Sequence, residues 1–503
     1  MARQQAASGA TTTGPEPASG QRDGRWVALY VLCAGMLMIV LDVTIVNVAL
    51  PSIQDDLGFS SSSLAWVVNA YLITFGGLLL LAGRLGDLLG RRNVFLSGLA
   101  VFSAASLLCG LAQSQQMLVG ARFLQGIGGA MTSAVVLGMI VTMFPEPREQ
   151  AKAIGAFAFV ASAGGSVGLL LGGVLTESIN WHWIFFVNLP IALVTAVLAV
   201  RLLDRDGGIG WSRGADAPGA VLITSALMLG VYTIVKPAAE HGWTARDTLA
   251  LGAVSLVLLV GFVLRESSTP HPLMPLRIFR SRNVSGANVI QVFGVVGMFG
   301  MFFLGALYLQ RVLGYDALEI GLAFLPVTVV MGTLSVRYTE PLVTRFGARR
   351  TLIPGLVLIV IGLALFSLAP VDGGYLVHVF PSMLLFGTGA GLCFPALMTL
   401  AMSGATPEDA GLASGLINTS AQIGGALGLA VLATLSTGRS EDQLAHGAPA
   451  ASALVSGYHL AFWIAAALVS LAIVVALTVL RPERTESPVG MGVAESALEP
   501  ASC

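Results

Sequence analysis

The sequence has 503 residues, of which 55% are hydrophobic and 11% charged, with a formal net charge of −1. Soluble proteins carry about 25% charged residues, so a mean hydropathy of +0.83 sustained along the chain excludes a soluble enzyme with a single anchor. The near-neutral balance also excludes a basic field for nucleic acid.

In chain order, residues 1–25 are polar and rich in Pro, Gly and Ser, without the apolar core of a signal peptide, and read as a disordered tail. A helix needs about 20 apolar residues to cross a bilayer. Such segments fall at 26–50, 64–82, 94–112, 117–143, 153–175, 182–200, 216–236, 247–264, 284–310, 320–338, 351–369, 376–402, 411–434 and 458–480. An all-α, polytopic membrane protein of fourteen spans is predicted, with Pro51 ending the first helix, a solvated loop at 435–457 and a second disordered tail from 481. The basic residues agree with an even number of spans. With the N-terminus inside, only Lys236, Arg246, Arg311 and Arg439 fall outside and only Arg122 falls within a span. That asymmetry puts both termini in the cytoplasm. Six of the tryptophans, including Trp181 and Trp183, lie near span ends or in outer loops, as interfacial anchors do.

Two segments repeat. GRLGDLLGRR (83–92) and VTRFGARR (343–350) each end one helix, turn at Gly90 or Gly347 and deliver arginines to the next. Glycines recur in the fifth span (Gly164, Gly168, Gly172, Gly173) and in the thirteenth (Gly411, Gly415, Gly424, Gly428), where they permit close helix approach. The predicted organisation is a six-helix bundle at 26–202, a linker with an inserted helix pair at 203–283, and a second bundle at 284–480. Repeated halves around a central cavity suit alternating access.

Two charges stand inside apolar spans. A central charged side chain costs at least about 2.5 kcal/mol on insertion scales, so Asp42, in LDVTIVNVALPSI (41–53), and Arg122 must face protein or cavity. The expected place for Asp42 is the central cavity, where it can load and release a proton; Arg122 stays charged and can only tune a neighbouring acid. Arg122, Gln125 and Gly126 share much of one helix face. Asn47, Trp66, Asn69, Tyr71, Gln125, Gln291, Asn418 and Gln422 are the candidate lining of a substrate cavity. The loop residues Gly83, Arg84, Gly86, Asp87, Gly90, Arg91 and Arg92 are candidates for gating, with Asp87 capping a helix or pairing with an arginine.

The four cysteines form no CxxC pair, the six histidines have no HExxH or HxxxH spacing, and no GxxxxGK[ST] loop occurs. No metal, cofactor or enzymatic activity is expected, only protons as coupling ion.

GRLGDLLGRR resembles the signature loop of the major facilitator superfamily. LDVTIVNVALPSI, RFLQGIGGAM (122–131), WHWIFFVNLPI (181–191) and HPLMPLRIFR (271–280) resemble its fourteen-span drug:proton antiporter branch. GGSVGLLLGG (164–173) resembles the antiporter motif of exporters, with Leu169 where that pattern carries proline. The resemblance implies a bacterial plasma-membrane protein, expected to be a monomer. It would export amphipathic drugs or antibiotics, neutral or cationic rather than anionic, with Arg122 and Asp42 in proton coupling. Proton-coupled uptake of a metabolite is the alternative on the same fold.

Overall fold

The computed structural model describes residues 19–60, 62–144, 146–205, 207–208, 216–270, 272–273, 276–403 and 410–481. Both expected terminal tails, Trp211 and part of the HPLMPLRIFR connector therefore lie largely outside the described residues. These residues form helices and no strands: α1 (Ser19–Leu57), α2 (Ala65–Leu89), α3 (Arg91–Gly110), α4 (Gln115–Met143), α5 (Pro147–Ser178), α6 (Trp183–Phe186), α7 (Asn188–Leu202), α8 (Ala217–Val235), α9 (Pro237–His241), α10 (Arg246–Ser268), α11 (Arg282–Arg311), α12 (Ala317–Thr333), α13 (Thr339–Phe346), α14 (Ala348–Phe366), α15 (Phe380–Met402), α16 (Ala410–Ala445) and α17 (Ala450–Thr478). Twelve helices among the described residues are long and apolar enough to cross a membrane. Two shorter apolar stretches, Val167–Ser178 within α5 and Ala317–Thr333, lie at the fifth and tenth predicted spans.

The helices α1–α7 pack chiefly on one another, through α3 on α4, α2 on α4 and α1 on α5. The same holds for α11–α17, through α14 on α15, α11 on α16 and α17, and α12 on α15. The two groups meet where α5 lies on α12 and α2 on α16, while α8 fills the flank of α2 and α16. Outside it, α10 rests on α8 and turns Leu249, Leu256, Val257 and Leu264 outward, as a lipid-facing helix does.

Glycine sets the distances between helices. A Cβ at Gly168 would stand 2.0 Å from Thr44 Oγ1, and one at Gly172 2.8 Å from the Ile45 carbonyl, so α5 is pressed backbone-close onto α1. On its other face a Cβ at Gly173 would stand 2.7 Å from the Ala317 carbonyl, and one at Gly321 2.7 Å from the Leu169 carbonyl, so α12 is seated as closely. In the second group Gly424 and Gly428 seat α16 on Val292 and Val296 of α11 in the same manner. The turns repeat too. Gly90 and Gly347 have φ of 93° and 87°, a region costly for any residue with a Cβ. Two residues after each, an arginine reaches the C-terminal end of the last helix of its own group. Arg92 donates to the Val200 carbonyl of α7, and Arg349 to the Ala476 and Leu477 carbonyls of α17.

Several expectations are corrected. Pro51 does not end the first helix; α1 runs through it to Leu57, as membrane helices tolerate proline where neighbours satisfy the freed backbone. At its other end α1 begins at Ser19, inside the segment read as tail. The expected loop at 435–457 is helical except near 446–449, because α16 and α17 extend past their apolar stretches. Trp181 is not an interfacial anchor: it is buried, donates Nε1–H to Asp56 at 2.9 Å and stacks on His182. Trp183 is exposed, as such an anchor should be.

Candidate functional site: a buried ion pair in the first helix group

The polar residues of LDVTIVNVALPSI meet different fates for a simple chemical reason. Thr44 Oγ1 donates to the Val40 carbonyl at 3.0 Å and Asn47 Nδ2 to the Val43 carbonyl at 3.0 Å, so their donors are served by their own helix. An ionised carboxylate only accepts hydrogen bonds, and a helix interior has no free N–H to give. Asp42, fully buried, must therefore draw donors from other helices. Arg122 Nη1 donates to its Oδ2 at 2.5 Å; Gln125 Nε2 and Asn188 Nδ2 donate to its Oδ1 at 2.7 and 3.0 Å.

The pair has a polar shell, although Asn188 Oδ1 in it is buried without a hydrogen-bond partner. Arg122 also donates through Nε to the Val67 carbonyl of α2 at 2.9 Å and through Nη1 to Gln125 Oε1 at 2.7 Å. Its guanidinium lies over the Tyr71 ring, 4.6 Å from the centroid. Ser106 of α3 accepts from Gln125 Nε2 at 2.7 Å and Asn188 Nδ2 at 3.3 Å. The pair thus ties α1, α2, α3, α4 and α7 together. It faces the interior of the first helix group rather than a cavity between the groups, which corrects the placement expected for Asp42. RFLQGIGGAM makes the site possible. Arg122 and Gln125 supply the donors, and its glycines bring the neighbouring backbones in, with a Cβ at Gly126 2.5 Å from the Tyr71 carbonyl and one at Gly128 2.4 Å from the Phe102 nitrogen.

The second group has the same scaffold without the charges. Gly98 lies against Gly128 as Gly355 lies against Gly389, and Gly98 and Gly355 stand as far apart in sequence as Gly90 and Gly347. In that register Met383 takes the place of Arg122, Phe386 of Gln125, Leu363 of Ser106 and Phe366 of Cys109. All four are buried.

The other candidates separate. The segment 83–92, expected as a loop, is helical apart from Gly90; in it Asp87, at the end of α2, pairs with Arg91 at 3.2 Å, and Arg91 Nη1 donates to the Gly138 carbonyl of α4 at 2.9 Å. Gly86 admits Val135, whose Cγ1 would stand 2.4 Å from a Cβ there, whereas Gly83 has space around it. Arg84 is half-buried. Of the candidate cavity residues, Tyr71 and Gln125 belong to the ion-pair shell. Gln422 packs on Gly76 where α16 meets α2, Asn47, Asn69 and Gln291 are buried, Trp66 is half-buried and Asn418 is exposed. Both amide atoms of Asn69 and the Tyr71 hydroxyl are buried without a hydrogen-bond partner.

Sequence reasoning missed Asn188 and Ser106, since a lone amide or hydroxyl in a span carries little cost to betray it. It also missed a contact between the groups: Arg311, at the end of α11, pairs with Asp55 near the end of α1 and donates to Gln54 Oε1 at 3.2 Å. Gly164-Gly165-Ser166-Val167-Gly168 has the GxSxG spacing of a hydrolase nucleophile elbow. It lies inside continuous helix α5 rather than at a strand-to-helix turn. Among the described residues no cluster of three or more His, Cys, Asp or Glu could hold a metal ion.

The family model described as Major Facilitator Superfamily matches residues 32–429. The chain is 39% identical to a puromycin resistance protein of Streptomyces alboniger, over 95% of this chain and 94% of that protein. It is 38% identical to a cephamycin export protein of Amycolatopsis lactamdurans, over 92% and 94%. Among solved structures, a bacterial homologue of the human lysosomal transporter Spinster, in an inward-facing and unoccupied conformation, aligns with a TM-score of 0.63 at 16% identity, covering 93% of this chain and 98% of that one.

Proposed function

The chain belongs to the major facilitator superfamily, and we propose that it is a proton-driven exporter of small amphipathic antibiotics, neutral or cationic, working by alternating access. A multi-pass membrane protein whose relatives are named for antibiotic resistance and export supports the efflux part of that reading. The single observation that carries the proton part is the Asp42–Arg122 pair. It holds an acid whose every ligand comes from another helix, so its charge state decides how α1 is held.

In the ionised state Asp42 accepts three donors and clamps α1 to α4 and α7. When a proton arrives on Oδ1 or Oδ2, the charge-assisted bonds weaken, since such bonds are about twice as strong as neutral ones. Arg122 keeps Val67, Gln125 and the Tyr71 face, so it is not stranded while Asp42 is neutral. Loosening α1 at its centre reaches the other group through the same helix. Asp55 lies thirteen residues on, about 20 Å along the axis, where it meets Arg311. Proton loading at Asp42 and the hold of α1 on the second group are then two readings of one helix's position. Fourteen spans, with α5 and α12 counted, cytoplasmic termini, two six-helix bundles with α8 and α10 inserted, a monomeric state and no cofactor beyond protons complete the proposal. The energy suffices: about 2.3 kcal/mol for one proton across 100 mV.

The test uses inverted membrane vesicles energised to acidify their interior, with puromycin as probe. Accumulation that a protonophore abolishes is the expected result. Accumulation insensitive to the protonophore contradicts proton drive, and uptake by intact cells without accumulation in vesicles contradicts export.

A further inference from the structure

One motif remains outside the transport reading. HPLMPLRIFR runs into a cavity of about 320 Å³ lined by Arg280, Ser281, Arg282, Asn283 and Arg481. Its walls come from the 3-10 turn Leu276–Arg280, the first turn of α11 and the chain just beyond α17. Hydrogen bonds fix their relation. Asn283 Oδ1 accepts the Arg481 backbone N–H at 3.0 Å, and its Nδ2 donates to Ser403 Oγ, just past α15, at 3.3 Å. Ile278, Val284 and Leu416 form a small apolar cluster beside it.

The electrostatics of this recess are incomplete. Among the described residues three arginines line it and no carboxylate does. All three are exposed. None forms an ion pair with a described residue, although elsewhere at this end of the molecule Arg91, Arg92 and Arg349 are each engaged. Like charges gathered without a counter-charge repel, and an anion removes that cost. Guanidinium groups match the oxygens of a phosphate in a two-pronged geometry that an ammonium lacks. The recess opens where α11 begins and α17 ends, at the arginine-rich end of the bundle, the depth at which basic pockets meet acidic headgroups.

We infer that this recess binds a phosphate ester, carried by an anionic phospholipid headgroup or by a soluble phosphate. The bound anion bridges Arg280 and Arg282, at the start of α11, to Arg481, past the end of α17, and so reinforces the Asn283 junction. The site is independent of the ion pair at Asp42, and its position on the cytoplasmic side rests on the topology proposed above.

Purified full-length protein is titrated with short-chain phosphatidylglycerol and, separately, with inorganic phosphate, with bound species read by native mass spectrometry and the thermal midpoint recorded. One probe is expected to bind the wild type and raise its midpoint, with apparent affinity falling about tenfold in the Arg280→Gln/Arg282→Gln/Arg481→Gln variant. Arg201→Gln/Arg205→Gln/Arg350→Gln, which removes equal charge at the same end, should retain binding. Binding of the lipid alone identifies a headgroup site, and binding of phosphate identifies a soluble ligand. The inference is overturned if neither probe binds, if the first variant binds like wild type, or if the control loses as much. Should the triple variant fail to fold, Arg481→Gln alone is read the same way, with a loss of about threefold expected.

Discussion

The two helix groups are built alike and filled differently. Each turns at a positive-φ glycine, anchors an arginine on the end of its own last helix, and crosses its third and fourth spans on paired glycines. In the first group the space beside that crossing holds Asp42, Arg122, Gln125, Asn188 and Ser106; in the second it holds Met383, Phe386, Leu363 and Phe366. The difference teaches that the scaffold does not dictate chemistry. One group carries a buried ion pair, and the other is packed with apolar side chains at the matching positions.

The largest expected effect comes from breaking the pair on its basic side. Arg122→Met makes the first group resemble the second at that position but strands Asp42. Removing one partner of a buried pair costs about 3–5 kcal/mol, so transport in vesicles should vanish and the thermal midpoint fall. Arg122→Lys should not rescue, because no single ammonium reaches Val67, Asp42 and Gln125 in their observed directions. The mirror change, Met383→Ala, should cost about 2–5 kcal/mol as a core cavity while leaving the pH profile of the remaining transport unchanged. A moved profile would break the comparison.

A smaller change sharpens it. Asn188→Ala deletes one donor to Asp42 and one to Ser106 and should slow transport about tenfold, the equivalent of 1.4 kcal/mol and within the range for a buried hydrogen bond lost. It should also alter the pH profile. Leu363→Ala, in the other group, should lower the thermal midpoint only. Transport assays across pH distinguish the two.

The smallest effect belongs to the contact between groups. Asp55 and Arg311 are partly exposed, and such pairs contribute about 1 kcal/mol or less. Arg311→Gln should raise labelling of a cysteine introduced nearby on α12 by about fivefold at most. The exchange Asp55→Arg with Arg311→Asp should restore the wild-type rate. Equal labelling in all three proteins would remove this contact from the conformational account.

The degree to which these features could be read from sequence follows from their cost. Asp42 and Arg122 announced themselves because a charge in an apolar run demands a partner, although which helices supply the donors is a matter of packing, not periodicity. The repeat was legible in Gly90 and Gly347, whose conformation excludes most side chains, and in the glycines of α5. Asn188 and Ser106 stayed hidden because uncharged polar groups in spans are common and inexpensive. Helix ends misled for a related reason. Pro51 punctuates a soluble helix but not α1, and the polar residues at 435–445 continue α16 without an apolar signal to mark it.

Proton drive as proposed requires that substrate binding and proton loading at Asp42 be linked through the position of α1. Its most direct test is the proton count when puromycin is added to purified protein in weakly buffered detergent solution. Wild type and Met383→Ala should each release protons in a pH-dependent amount, and Asp42→Asn should release none. Release from Asp42→Asn equal to that of wild type would contradict the account.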